Sequence, residues 1–297
     1  MKKWMLMVLV GLLTMSLSSV LAGSESVFTH EFDPAQGDEA LHVCADGEGG
    51  FYALSRDKLL RWRPGDEKMD VIGLNEHGFS YLACRGNEVY SMSTETGLYK
   101  FEDGEWLGLG IPGWYNPDEI NAQAGANRFL GNAVIGKDRV FFFSVDADQE
   151  MHYLSAYHLD SGEFTVDAKA VFSRAIFAYD EVNDMILGAV QGDKGGSFLA
   201  RYDCSTSRIT HVESDSFSGD IVGCDTVRSR ALFSGYWGAM LGLSDKDVMK
   251  IPGTPMRNSN VALLDDGYLV YAVGRRDGEN ARVVVLRYDP ERLERVD

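Results

Sequence analysis

Six times along the chain a short apolar run ends on a bulky residue and passes directly into turn chemistry. The positions are Trp62 in LLRWRPGD, Phe101 in LYKFEDGE, Tyr157 in LSAYHLDSGE, Tyr202 in FLARYDCSTS, Leu243 in MLGLSDKD and Tyr288 in VVLRYDPE. The steps between them are 39, 56, 45, 41 and 45 residues. A unit of that length, made of short strands, cannot bury both of its faces alone and has to stack on copies of itself. Four-stranded units stacked radially at a period in the low forties make a β-propeller.

One complete copy is Tyr81 to Trp106, YLACRGNEVYSMSTETGLYKFEDGEW. It reads as a strand at Tyr81 to Cys84, a turn at Arg85-Gly86-Asn87, a strand at Glu88 to Ser93, a Thr-Glu-Thr-Gly hairpin turn and a strand at Leu98 to Glu102 that runs into Asp103-Gly104. Short strands rich in aromatic and β-branched residues, separated by Gly, Asn and Asp, are the signature of a β-meander. First strands recur at Leu41 to Ala45, Ala133 to Gly136, Ala175 to Tyr179, Asp220 to Cys224 and Val261 to Leu264. Outer strands are expected at Met69 to Leu74, Phe164 to Ala168, Ile209 to Val212 and Val248 to Ile251. The fold class is therefore all-β, a propeller of six four-stranded blades, with seven blades as the alternative. The last repeat ends at Pro290 to Asp297 without a fourth strand, and the segment Ser26 to Phe32, SVFTHEF, alternates apolar and polar residues as a strand would. Pairing that segment with the last blade would close the ring and leave no long sheet edge bare. No linker or shift in composition divides residues 23–297, which form one propeller domain.

The third strands carry Leu60-Arg61-Trp62, Tyr99-Lys100-Phe101, Ala200-Arg201-Tyr202 and Leu286-Arg287-Tyr288. In these the chain resembles secreted bacterial β-propellers whose third strands read Leu-Tyr-Arg-Tyr-Asp before a Thr-Gly or Pro-Gly turn. It looks most like propeller modules of exported proteins of some anaerobic bacteria, sometimes joined to solute-binding domains. The resemblance spans nearly all of residues 23–297. It implies a fold and a compartment and no reaction, and the lack of a solute-binding domain in this sequence tells against a direct transport role.

Lys2 and Lys3 precede an apolar run from Trp4 to Leu13 and a Ser-rich stretch that closes on Val20-Leu21-Ala22. This is the layout of a signal peptide, residues 1–22, with cleavage near Ala22 and a secreted or extracytoplasmic product. The apolar core is shorter than the roughly 20 residues a membrane span needs, and no later stretch is long and apolar enough. Loss of the two leader lysines takes the net charge from −17 to −19. An acidic balance of that size repels nucleic acid and anionic lipid, so neither is expected as a partner. Cys44, Cys84, Cys204 and Cys224 allow three pairings that the sequence does not rank. Three of them stand in apolar strand contexts (HVCA, YLAC, IVGC), where a small buried thiol is common, so free thiols are expected ahead of disulfides; the four are far apart and show no CxxC spacing for zinc.

Candidate binding residues come from the one break in the period. The 56-residue step holds the extra segment Gly110 to Asn132, with Trp114 and Tyr115 beside Asn116, Asp118 and Glu119. Connections of this kind are where scaffolds place binding residues. A flat aromatic pair next to amide and carboxylate groups suits a sugar or peptide; the competing reading is that the pair pins the loop to the propeller. Tyr236 and Trp237 sit between glycines in Ser234-Gly235-Tyr236-Trp237-Gly238, which marks a close approach of backbone to a ligand or a packed bulge.

Asp146-Ala147-Asp148-Gln149-Glu150 lacks the glycine and the distal Glu of a calcium loop, and Asp265-Asp266-Gly267 reads as a hairpin turn. The six histidines show no ligand spacing, and there is no nucleophile elbow or phosphate loop. A propeller could still bring carboxylates such as Asp220 and Asp265 together from different blades for glycoside chemistry. No catalytic residue, metal or cofactor is expected. The reading is a monomeric, non-catalytic binding module for a carbohydrate, peptide or protein. The alternatives are a polysaccharide lyase or glycoside hydrolase with a carboxylate site in the central funnel, and an interaction scaffold with an apolar patch around Tyr236 and Trp237.

Overall fold

A computed structural model of the chain describes residues 24–33, 38–93, 96–111, 133–146, 151–169, 172–191, 197–211, 220–225, 230–235, 238–242, 248–255, 260–275 and 279–295. Every regular element within them is a strand. The chain begins with β1 (Ser24–Glu31) and then lays down its blades in order. Blade 1 is β2 (Ala40–Ala45), β3 (Phe51–Ser55), β4 (Lys58–Trp62) and β5 (Asp70–Leu74). Blade 2 is β6 (Ala83–Arg85), β7 (Glu88–Ser93), β8 (Gly97–Glu102) and β9 (Glu105–Gly110). Blade 3 is β10 (Ala133–Ile135), β11 (Arg139–Asp146), β12 (Met151–His158) and β13 (Phe164–Lys169). Blade 4 is β14 (Phe172–Asp180), β15 (Met185–Gln191), β16 (Ser197–Asp203) and β17 (Arg208–His211). Blade 5 is β18 (Asp220–Asp225), β19 (Arg230–Gly235), β20 (Gly238–Gly242) and β21 (Met249–Lys250). Blade 6 is β22 (Val261–Asp265), β23 (Tyr268–Val273) and β24 (Arg282–Tyr288), and the last element is β25 (Glu294–Arg295).

Each blade is an antiparallel meander, and the six together form a six-bladed β-propeller. The sixth blade takes β1 as its outer strand, from Ser24 opposite Tyr288 to Glu31 opposite Arg282, with a bulge between Ser26 and Phe28. The alternating SVFTHEF pattern thus closes the ring. Phe28 also packs on Trp62 of blade 1, ring centroids 5.0 Å apart, so β1 joins the interface between the last blade and the first. Beyond the expected arrangement, β25 pairs with β21, Met249 opposite Arg295 and Lys250 opposite Glu294. Blade 5 therefore carries a fifth strand drawn from the far end of the chain.

Burial follows position within the blade. Strands β3 and β20 are buried at every residue, whereas β5 and β9 are mostly exposed or half-exposed, because the middle strands have another blade on each face. The core is accordingly divided among interfaces. Val43 packs with Ala262, Leu264 and Val270 between blades 6 and 1, and Tyr52, Leu59, Phe79, Leu82 and Val89 fill the space between blades 1 and 2.

Tight turns follow local chemistry. Asp103 and Gly104 join β8 to β9 with φ of 52° and 89°, the left-handed pair that an Asp-Gly type I′ hairpin requires. The extra segment after blade 2 begins one residue later than expected, since β9 holds Gly110. Blade 2 opens its first strand at Ala83 rather than Tyr81, because the Tyr81 carbonyl accepts from Ser91 Oγ at 2.6 Å and the Leu82 amide donates to a side chain of blade 1. Among the described residues no helix is long and apolar enough to cross a membrane.

Candidate functional site

A four-stranded meander fixes which connections share an end of the ring. The innermost strands β2, β6, β10, β14, β18 and β22 run alongside one another around the axis, each in contact with the next. The end at which they begin is the front mouth and the end at which they finish is the rear. Connections between blades, and those between second and third strands, leave from the front; the other two hairpins of each blade turn at the rear.

The rear between blades 3 and 4 is a saturated polar clamp. Arg139 Nη1 donates to Asp167 Oδ2 at 2.7 Å, Tyr202 Oη donates to the same oxygen at 3.3 Å, and Thr165 Oγ1 donates to Asp167 Oδ1 at 2.8 Å. Arg139 Nη2 donates to the Cys204 carbonyl at 3.2 Å across the blades, and its guanidinium lies 5.0 Å from the centroid of Phe141. Burial, with the Asp184 carboxylate nearby, pushes the Cys204 thiol up to about 12, which makes it a poor nucleophile. This cluster spends its donors and acceptors within the protein.

The front mouth is different. Asn260, just before β22, accepts from the Val43 amide through Oδ1 at 2.7 Å and so ties blade 6 to blade 1. His42, in β2, accepts from the Leu82 amide through Nδ1 at 3.2 Å and ties blade 1 to blade 2. That bond leaves the imidazole proton on Nε2. Burial holds the His42 pKa at about 4, so at neutral pH the ring is an uncharged donor. Tyr81 stands edge-on to it, centroids 5.5 Å apart, and is 40% exposed, as is Leu41 at 38%. Glu39 reaches toward the end of β23, where a Cβ on Gly274 would lie 3.1 Å from its Oε2. Asp38 pairs with Lys58 at 3.4 Å while its other oxygen, Oδ1, is buried without a partner. The rim thus exposes the phenol and aromatic face of Tyr81 and the apolar side chain of Leu41, with the His42 imidazole against Tyr81 and the Glu39 carboxylate two residues before Leu41. These groups suit a polar, partly apolar ligand.

Trp114, Tyr115, Asn116 and Asp118 lie outside the described residues, as do Tyr236 and Trp237. Their flanks are described. Strand β9 ends at Gly110 and β10 begins at Ala133, while Gly235 pairs with Gly238 at the end of β19 and the start of β20. Both connections leave from the front mouth, from blades that are not neighbours in the ring. The space beside Gly238 is taken by the chain itself: a Cβ there would fall 2.7 Å from Thr254 Oγ1 and 3.0 Å from the Pro255 carbonyl. That glycine therefore answers to packing within blade 5. Asp220 opens β18 at the front and Asp265 closes β22 at the rear, so the carboxylate pair suggested by the sequence is separated by the length of a strand. Among the described residues no three His, Cys, Asp or Glu side chains are grouped as a metal site would need.

The inner-rim residues escaped sequence reasoning because His42, Tyr81 and Asn260 come from three repeats. The available signal was the alignment of first strands, which sets His42 level with Leu82.

No family model and no curated protein sequence matches the chain. Solved structures do. A gluconolactonase from Xanthomonas campestris superposes with a TM-score of 0.56 at 13% identity, over 89% of this chain and 96% of that one. A luciferin-regenerating enzyme gives 0.59 at 11% identity over 91% and 96%. An extracellular domain from B. thetaiotaomicron gives 0.51 at 11% identity, with 90% of this chain covered and 40% of that one. At such identities the likeness is one of fold.

Proposed function

We propose that this six-bladed β-propeller is an exported binding module that holds a carbohydrate, peptide or protein ligand across its front mouth without transforming it. The observation that carries the reading is convergence on one end of the ring. The extra segment with Trp114, Tyr115, Asn116 and Asp118 and the hairpin with Tyr236 and Trp237 both leave from the mouth whose inner rim presents His42, Tyr81 and Glu39. Loops on a rigid scaffold are where binding residues collect, and aromatic faces beside hydrogen-bonding groups recognise sugars and peptides. Export follows from the leader-like residues 1–22 and agrees with the extracellular setting of one structural neighbour.

The test is a glycan and peptide array probed with residues 23–297, beside a Trp114→Ala, Tyr115→Ala double variant and a Tyr236→Ala, Trp237→Ala double variant. Binding by the parent that either variant loses by tenfold or more supports the mouth; binding that both retain, or no binding by the folded parent, removes it. A hydrolytic reading has one support of its own, the near full-length match to a gluconolactonase. Aldonolactone opening followed by acid release in weakly buffered indicator decides that reading, and no rise above the uncatalysed rate ends it.

A further inference from the structure

Two cysteines face each other across the interface between blades 1 and 2. The innermost strands there are held in step by two hydrogen bonds: the Leu82 amide donates to His42 Nδ1, and the Gly86 amide donates to the Asp46 carbonyl. Each joins residues 40 apart in sequence, and the same offset sets Cys44 opposite Cys84. Side chains alternate along a strand, and the packing shows which face each takes. Val43 packs with blade 6 and Ala83 with blade 3, whereas Cys44 and Cys84 are both half-buried against the one cluster that fills the space between blades 1 and 2. Both thiols are free in this structure, and they lie near enough that Cys44 adds to the upward shift of the Cys84 thiol. Opposed inner strands and a common face are the arrangement from which a disulfide can form.

We propose that Cys44 and Cys84 form a disulfide that staples blade 1 to blade 2 at the channel wall when the chain folds in an oxidising compartment. The dithiol described here is then the reduced form. The oxidant is a protein or small-molecule disulfide. One cysteine thiolate attacks it, giving a mixed disulfide and releasing one thiol; the second thiolate then displaces the other. Two protons and two electrons leave the pair, and the donor ends as two thiols. Burial raises the Cys84 thiol well above its ordinary range, so the exchange belongs to folding, before the interface closes. Blades 1 and 2 share no strand ladder, only side-chain packing and isolated hydrogen bonds such as that from the Gly86 amide to the Asp46 carbonyl, so a covalent tie there restrains motion that sheet hydrogen bonds do not.

The expectation that the compartment is oxidising rests on the export reading, and the experiment separates the two. Residues 23–297 are refolded in oxidised and in reduced glutathione, alkylated under denaturing conditions and mapped by non-reducing peptide mass spectrometry. The expected result is a Cys44–Cys84 cross-linked peptide from the oxidised sample alone, with Tm higher by on the order of 5–10 °C and no such difference in a Cys44→Ala, Cys84→Ala variant. Fully alkylated Cys44 and Cys84 after oxidation, or either residue linked to Cys204 or Cys224, overturns the proposal whether or not the variant folds. The full chain is also expressed in a bacterium and fractionated. Cytoplasmic retention with the cross-link formed in vitro removes export and leaves the pair standing; exported protein with both thiols free removes the pair.

Discussion

At the scale of single residues, His42 sets a pH dependence whose sign follows from its surroundings. The ring is uncharged in the fold, its pKa lowered by burial from 6.5 to about 4. The unfolded chain takes up a proton at this residue as pH falls through 6.5, and the folded chain takes it up only near 4. Stability from this residue is therefore complete above pH 6.5 and is lost progressively between 6.5 and 4, at no more than about 1.4 kcal/mol per pH unit. Urea midpoints measured from pH 7.5 to 4.5 are expected to fall more steeply for the parent than for His42→Asn. Asparagine keeps an acceptor for the Leu82 amide but does not titrate in this range. His30, whose pKa burial also lowers, is present in both proteins and cancels. Equal slopes would mean that the imidazole is as well hydrated in the fold as out of it.

At the scale of elements, the closing strand is the one whose loss changes most. Deleting β1 exposes the edge of β24, a row of apolar residues whose partners run from Ser24 to Glu31, and a bare apolar edge invites pairing with another chain. A chain starting at Phe32 is expected to elute ahead of the parent in size-exclusion chromatography and to unfold at lower temperature; unchanged elution and Tm would show that blade 6 stands as three strands. Strand β1 was legible because SVFTHEF alternates, and the blades were legible because aromatic third strands run into Gly, Pro and Asp turns. Strand β25 was not. Two residues, Glu294 and Arg295, carry no apolar period, and their pairing with Met249 and Lys250 depends on where the ring has already put β21. Nor was the full reach of β14, whose pairing with β15 shifts register twice between Phe172 and Phe177. Irregularities of that kind break the alternation on which a strand is read.

At the scale of the whole molecule, the front mouth is a product of the ring, and this is why the sequence hid its inner rim. Trp114 and Tyr115 announce themselves by lengthening the repeat. His42 and Asn260 meet Leu82 and Val43 only once blades 6, 1 and 2 are side by side, and no local pattern encodes that. The pairing of β1 with β24 has a further consequence, in time rather than in space. Glu25 and Arg287 meet over 262 positions, so the strand made first must wait for nearly the last. The length-dependent entropy of bringing such distant segments together is about 5 kcal/mol, and contacts this remote slow folding. Closure should then be a late, slow event, preceded by an open crescent of five blades and an incomplete sixth. The described ends of the chain are neighbours, with Gly253 against Ser24 and Lys250 opposite Glu294. A circular permutant that starts at β2 and carries β1 after β25 on a short linker brings those partners close in sequence. It is expected to refold faster than the parent and with a yield less sensitive to protein concentration; equal rates would place the slow step inside a blade.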